Sequence, residues 1–156
     1  MKQLILPALV FVSTAASAQN RLRSTHELSV NGFRNPSIGL EYRYRPVSAH
    51  LGYYPTNFEP GVTTSFIRAG VSLWLLPVGN NDIPSSFYVS GSYLRGLNRD
   101  YNDENAFIAD VGFRWMIRKG WNVRAGGAML VASGHDPQFN PTIGVGYAFL
   151  LSSRKQ

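Results

Sequence analysis

The segment SGHDP at residues 133–137 contains the side chains of a nucleophilic hydrolase or acyltransferase. A serine, a histidine and an acid can together activate a hydroxyl nucleophile, but such triads are defined by their arrangement in space and not by adjacency in the chain. A His-Asp pair between glycine and proline is also typical of an ordinary turn. We therefore predict that the protein is not an enzyme, and we keep a lipid-directed enzyme that uses Ser133, His135 and Asp136 as the alternative.

A second group of reactive side chains consists of charges placed within otherwise apolar segments. They are Glu41, Arg43, Arg68, Asp110, Arg114 and Arg124. The planar guanidinium group of arginine pairs with carboxylates and with phosphates. These charges could line an ion-conducting lumen, or they could neutralise one another inside a closed interior, and the elements that carry them decide between the two.

Apolar and polar residues alternate along these segments. In 107–118, Phe107, Val111 and Trp115 belong to one face, and Asp110 and Arg114 belong to the other. This period of two is typical of β-strands, whereas helical spacing is not sustained anywhere in the chain. We predict eight strands, at about 25–33, 37–46, 48–55, 64–76, 85–96, 105–118, 121–133 and 140–151. Trp74 falls on the polar face of its strand and does not fit the pattern cleanly; a bulge at this point could re-aim its side chain.

The first 18 residues predict export. MKQLILPALVFVSTAASA has a basic start, a short apolar core and a small-residue A-x-A end, as in a secretory signal. The remaining domain is then 19–156. It has no cysteine for a disulfide or a lipid anchor, and the formal net charge of the whole chain is +6. We expect no nucleic-acid partner, no cofactor and no metal site.

Periodicity alone does not tell which face is the core. A soluble lipocalin-like carrier buries the apolar face, whereas a membrane barrel turns that face to lipid. The polar faces here hold glycine, serine and charges of both signs, which suits a narrow interior. Since only a closed barrel lets strands span lipid, we predict an all-β, eight-stranded antiparallel up-and-down transmembrane barrel. Eight strands leave room for little more than side chains, so we expect a salt-bridged interior centred on Glu41 and Asp110, not a channel.

Aromatic residues occur near the ends of the predicted strands, as expected at a membrane–water boundary. We place Tyr53, Phe66, Tyr93 and Phe107 at the outer rim, and Tyr44, Phe87, Trp115, Trp121 and Phe149 at the periplasmic rim. The longer and more polar connections, including TNFEPGVTT, GLNRDYNDEN and SGHDPQFNP, then face outward. The charged loop 95–104 could contact other cells or lipid head groups, but we favour a solvated loop with local ion pairs, since exposed ion pairs contribute little energy.

Together, the leader, the eight amphipathic strands and the alternation of short turns with long loops resemble the small eight-stranded outer-membrane barrels of the OmpX and OmpA transmembrane-domain type. The resemblance covers residues 25–151. A sharper match is GVGYAF at 144–149, which is similar to the C-terminal signal read by the barrel-assembly machinery, with Gly144, Tyr147 and Phe149 in the matching positions. It departs from that signal at Ile143 and in the residues after Phe149.

The resemblance implies a monomer in the cell outer membrane of a Gram-negative bacterium. Its partners would be outer-membrane lipid and the assembly machinery, and its role would be structural or in surface interactions.

Overall fold

The computed structural model describes residues 24–59 and 61–153. The predicted signal sequence at 1–18 lies outside the described residues. The described chain forms eight strands and one short 3-10 turn, η1 (Arg99–Tyr101). The strands are β1 (Ser24–Phe33), β2 (Ile38–Tyr44), β3 (Val47–Glu59), β4 (Val62–Val78), β5 (Ser85–Gly96), β6 (Asn105–Arg118), β7 (Trp121–Ala132) and β8 (Gln138–Ser153).

Each strand pairs antiparallel with the next one in the chain, and β8 pairs with β1, so the sheet closes into a barrel. The predicted all-β, eight-stranded up-and-down barrel is therefore confirmed. Among the described residues, no helix has the length and apolar character needed to cross a bilayer. Closure leaves no strand with an unpaired edge, so the backbone groups of the wall are hydrogen-bonded within the barrel.

The predicted alternation fixes which side chains point inward. On β6, Val111, Trp115 and Ile117 are 56%, 51% and 61% exposed, whereas Asp110 and Arg114 are 2% and 0% exposed. A strand places successive side chains on opposite faces, so this segment has an apolar outer face and a charged inner face.

Two sets of connections define the ends of the barrel. The terminal end carries the start of β1, the end of β8 and the connections 45–46, 79–84 and 119–120. The distal end carries the end of β3, the start of β4 and the connections 34–37, 97–104 and 133–137. The expected loop TNFEPGVTT is mostly strand, because β3 continues to Glu59 and β4 already begins at Val62. The segment Lys119-Gly120 forms a tight hairpin between β6 and β7, with φ angles of 45° and 93°.

The barrel is narrow enough to require glycine on its inner face. Gly112 on β6 lies opposite Gly126 on β7. A Cβ atom at Gly126 would come within 2.8 Å of the Cα atom of Gly112, so a larger residue would push the two strands apart. These inward glycines allow neighbouring strands to bend around a small lumen.

An apolar cluster fills the distal part of the interior. It consists of Tyr54, Phe66, Leu94, Tyr101, Ala106, Ile108, Ala128, Leu130 and Ala132, with Phe58 packed against it. The placement of Phe66 at the outer rim was wrong: the residue is fully buried and its ring lies 5.4 Å from that of Tyr101. Strand parity explains the error, since Ile67 faces outward and its neighbour Phe66 must therefore face inward.

The other eight aromatic residues assigned to the rims have exposed outer-face side chains. They are Tyr53, Tyr93, Phe107, Tyr44, Phe87, Trp115, Trp121 and Phe149. Several form ring pairs on the surface, such as Phe113 with Trp115 at 4.6 Å and Trp121 with Tyr147 at 5.3 Å.

Candidate functional site

The main candidate site in the described part of the barrel is a cluster of buried charged side chains inside it. All six residues singled out from the sequence are buried inside it: Glu41, Arg43, Arg68, Asp110, Arg114 and Arg124. A seventh residue, Glu27 on β1, joins them and was not predicted. Its alternation with Ser29 and Asn31 places it on the inner face, and this is the signal that could have revealed it.

Glu27 holds two arginines. Its Oε2 atom lies 3.1 Å from Nη1 of Arg43 on the neighbouring strand β2. Its Oε1 atom lies 2.5 Å from Nη1 of Arg114 on β6, a strand on the other side of the lumen. The carboxylate therefore binds one cation beside it and one opposite to it.

Glu41 forms a second crossing. Its Oε2 atom lies 2.7 Å from Nη2 of Arg124 on β7, and both side chains are buried. Ser48 donates a hydrogen bond of 2.5 Å to the other carboxylate oxygen, and Asn31 donates one of 3.3 Å to Oε2. Charge neutralisation and hydrogen bonding thus compensate for the loss of water around this group.

Arg68 and Asp110 form a third pair, in the middle of the barrel. Nη2 of Arg68 lies 2.5 Å from Oδ2 of Asp110. The same guanidinium donates through Nη1 to the carbonyl oxygen of Pro36 at 2.6 Å and through Nε to Ser92 Oγ at 3.0 Å. Arg68 therefore connects the 34–37 connection at the distal end to β5 and β6.

The ring of Trp74 packs against three of the four buried arginines. Its ring centroid is 5.1 Å from the guanidinium carbon of Arg43, 4.2 Å from that of Arg114 and 5.0 Å from that of Arg124. Its indole Nε1 donates a hydrogen bond to Ser48 Oγ at 2.9 Å. The proposed bulge was wrong, because β4 keeps its register through Trp74 and the ring is buried inside as a cation–π partner.

Further polar contacts bridge the lumen between the charges and the distal cluster. Asn140 on β8 donates to the Tyr54 hydroxyl on β3 at 3.2 Å and also contacts Thr56. Asn35 donates to the Tyr88 hydroxyl at 2.5 Å and to Thr142 at 2.8 Å. Side chains from opposite walls therefore meet at several levels of the barrel.

His135 does not meet the residues that a hydrolase would require. Its Nε2 atom lies 3.1 Å from Oε2 of Glu104, and its ring stacks on Tyr101 at 4.2 Å. Neither Ser133 nor Asp136 is among the hydrogen-bond partners of His135 in the described structure. The pair instead fastens the 133–137 connection to the 97–104 connection at the distal end. The described residues contain no cluster of three or more metal-ligating side chains either.

The three residues of the predicted assembly signal lie on β8. Gly144 is buried, and a Cβ atom there would crowd the backbone of Asn35. Tyr147 and Phe149 point outward with their rings 4.7 Å apart. This strand closes the barrel against β1, over the register from Ser24–Ser153 to Phe33–Gly144.

Fold and interior together define the class: a closed eight-stranded barrel with ion pairs inside and apolar side chains outside. Comparison of the chain with models of protein families, with curated proteins and with solved structures found no match.

Proposed function

We propose that the protein is a monomeric outer-membrane barrel of a Gram-negative bacterium, with a structural or surface-interaction role. The observation that carries this proposal is the inverted distribution of side chains. Arg43, Arg68, Arg114 and Arg124 are at most 2% exposed, whereas large apolar side chains are exposed on all eight strands. Soluble monomers rarely expose apolar patches beyond a few hundred Å², and lipid is the solvent that such a surface fits.

The strand lengths support a barrel that crosses a bilayer. A tilted strand needs about 9–11 residues for this purpose. Seven of the eight strands have 10 or more residues, and only β2, with 7, is shorter. Closure satisfies the backbone of each strand within the wall, which the hydrocarbon interior requires.

The interior supports a closed scaffold in preference to a channel. Arg114–Glu27 and Arg124–Glu41 join opposite walls, and the apolar cluster around Phe66 occupies the distal part. A carrier of the lipocalin kind would need an apolar cavity where this barrel has ion pairs. With neither a channel nor a carrier cavity, the barrel would act by displaying its loops. The 97–104 connection is the longest of the connections at the distal end.

Gel mobility in membrane fractions tests the proposal. We expect the exported protein to stay with the membrane after washing at high salt, and to migrate differently before and after boiling, because a closed barrel resists detergent until heated. A barrel deficient in closure provides the control, and Gly126→Leu is suited to it because a side chain there meets the backbone of β6. Recovery of the wild-type protein in the soluble periplasmic fraction would refute the proposal.

A further inference from the structure

The outer surface carries a groove of about 540 Å³ across β4, β5, β6 and β7. Its floor is made of the small residues Ala69, Gly91 and Ala109, and Gly91 lies directly opposite Ala109. Apart from the two residues next to Gly91 in the chain, a Cβ atom at this position would have no atom within 4 Å. The space above this glycine is therefore open, although the surrounding surface is bulky and apolar.

Larger apolar side chains form the walls of the groove. Val71 on β4 lies opposite Gly91, and Met129 on β7 lies opposite Ala109. Toward the distal end the groove is bounded by Tyr93 and Phe107, whose rings pack edge to face at 5.7 Å. The groove is thus a walled depression in the outer face of the barrel.

A cationic group stands just beyond the distal wall. Arg95 is the next outward-facing position after Tyr93 on β5 and its side chain is 43% exposed. Its Nη1 and the Tyr93 hydroxyl both donate to Oδ1 of Asn105, at 2.8 Å and 2.5 Å. Its Nη2 lies 3.1 Å from Asp103, which is 78% exposed. The guanidinium therefore lies beyond the distal wall of the groove, against Asn105 and Asp103, and remains accessible.

We infer that this groove binds an acyl chain of a phosphorylated membrane lipid, with the lipid phosphate on Arg95. The inference rests on the proposed function, since the groove meets acyl chains only if the barrel spans a bilayer. The arrangement matches an apolar chain with an anionic group at one end, and the guanidinium fork suits phosphate oxygens. The exposed pair with Asp103 is weak enough for a phosphate to displace the carboxylate.

A second copy of the barrel fits the groove less well than a chain does. Its own outer face carries large side chains on every strand, and such a face would span the depression without entering it. A flexible acyl chain can instead follow the floor from Ala109 toward Tyr93.

Native mass spectrometry of the full exported protein in detergent tests the inference, with phosphatidylglycerol as the probe. Diacylglycerol with the same acyl chains is the phosphate-free comparison. Gly91→Leu and Ala109→Leu fill the groove, and Arg95→Gln removes the cation. We expect each to weaken phosphatidylglycerol binding about tenfold or more. Asp103→Asn removes the competing carboxylate and should tighten binding.

Matched controls keep the test specific. Ala49→Leu adds the same side chain in the same cross-strand row on β3, outside the groove, and Arg99→Gln removes a charge from the loop. Both should bind like the wild type. Equal binding by the wild type and Gly91→Leu would overturn the groove, and equal binding of the two lipids would overturn the phosphate contact. A wild-type dimer that Gly91→Leu dissociates would show that a second copy occupies the surface.

Failure of the underlying function has a different readout. Every variant is first tested for heat-dependent gel mobility in membrane fractions. If the wild type lacks this property, the proposed membrane location fails, and the lipid inference fails with it. If all variants show it but lipid binding is unchanged, only the lipid inference is overturned.

Discussion

The guanidinium of Arg114 on β6 reaches across the barrel to the carboxylate of Glu27 on β1, with 2.5 Å between Nη1 and Oε1. The two strands are not neighbours in the sheet, and both side chains are buried. Because Glu27 also binds Arg43, one buried carboxylate forms ion pairs with two cations at once. In this interior, ion pairs hold the strands of opposite walls together, a role that apolar packing has in the core of a soluble barrel.

Replacing Glu27 tests this role. Glu27→Gln keeps the size of the side chain but leaves Arg43 and Arg114 buried without their counter-ion. Removing one partner of a buried pair costs ~3–5 kcal/mol, and we expect a loss of this size in the free energy of unfolding, measured by urea titration in lipid vesicles. Asp103→Asn, which breaks the exposed pair with Arg95, should cost about 1 kcal/mol or less. Equal effects of the two substitutions would argue against a structural role for Glu27.

Trp74 should be the most sensitive aromatic position in the interior. Trp74→Ala removes a large buried ring and its contacts with three guanidinium groups, so the free energy of unfolding should fall by ~3–5 kcal/mol. Trp115→Ala, on the outer face, is the matched control and should cost clearly less. The same urea titration reports both variants. A smaller loss at Trp74 than at Trp115 would contradict the assignment of Trp74 as the centre of the arginine cluster.

Arginine substitutions at two depths along β6 test whether the outer face of the barrel lies in lipid. Val111 lies in the middle of β6 and Ile117 lies near its terminal end. Val111→Arg should lower the stability in bilayers by ~2–4 kcal/mol, whereas Ile117→Arg near the interface should cost about 0–1 kcal/mol. Reversible unfolding in vesicles measures both values. A barrel surrounded by water would tolerate the two substitutions equally.

Because the lumen is closed, we predict that the barrel does not conduct ions. Asp110→Ala leaves Arg68 buried without its carboxylate and should lower thermal stability, yet the Arg114–Glu27 and Arg124–Glu41 crossings remain. We expect neither the wild type nor this variant to conduct ions in planar bilayers. Steady conductance through either protein would show that the interior is a pore.

The sequence was sufficient for the strand pattern and for most of the interior residues. Alternation around Val111 and Asp110 predicts both faces of β6, because side-chain direction in a strand depends only on parity. The same rule, applied strictly, places Phe66 and Trp74 inside. Both were misassigned because residue type was given more weight than parity: an aromatic ring suits a membrane rim, but it also suits a distal plug or an arginine cluster.

The pairing of the charges could not be predicted. Glu41 and Asp110 were expected to be the centres, whereas Glu27 binds two arginines and each of the others binds one. Pairing depends on which strands face each other once the barrel closes, and on the stagger of the register, neither of which is encoded in the local spacing. The ends of β3 and β4 were missed for a similar reason, since pairing between the strands extends them through polar residues that resemble a loop.

The measurement that tests the account most directly is solvent access at position 111. The chain has no cysteine, so Val111→Cys and the exposed loop variant Asp103→Cys each offer one labelling site. Spin labels at these positions, in protein reconstituted into bilayers, are compared for collision with oxygen, which concentrates in hydrocarbon, and with a water-soluble nickel complex. We predict that the label at 111 meets oxygen and is protected from nickel, while the label at 103 shows the reverse. Free access of nickel to position 111 would contradict the membrane-embedded barrel.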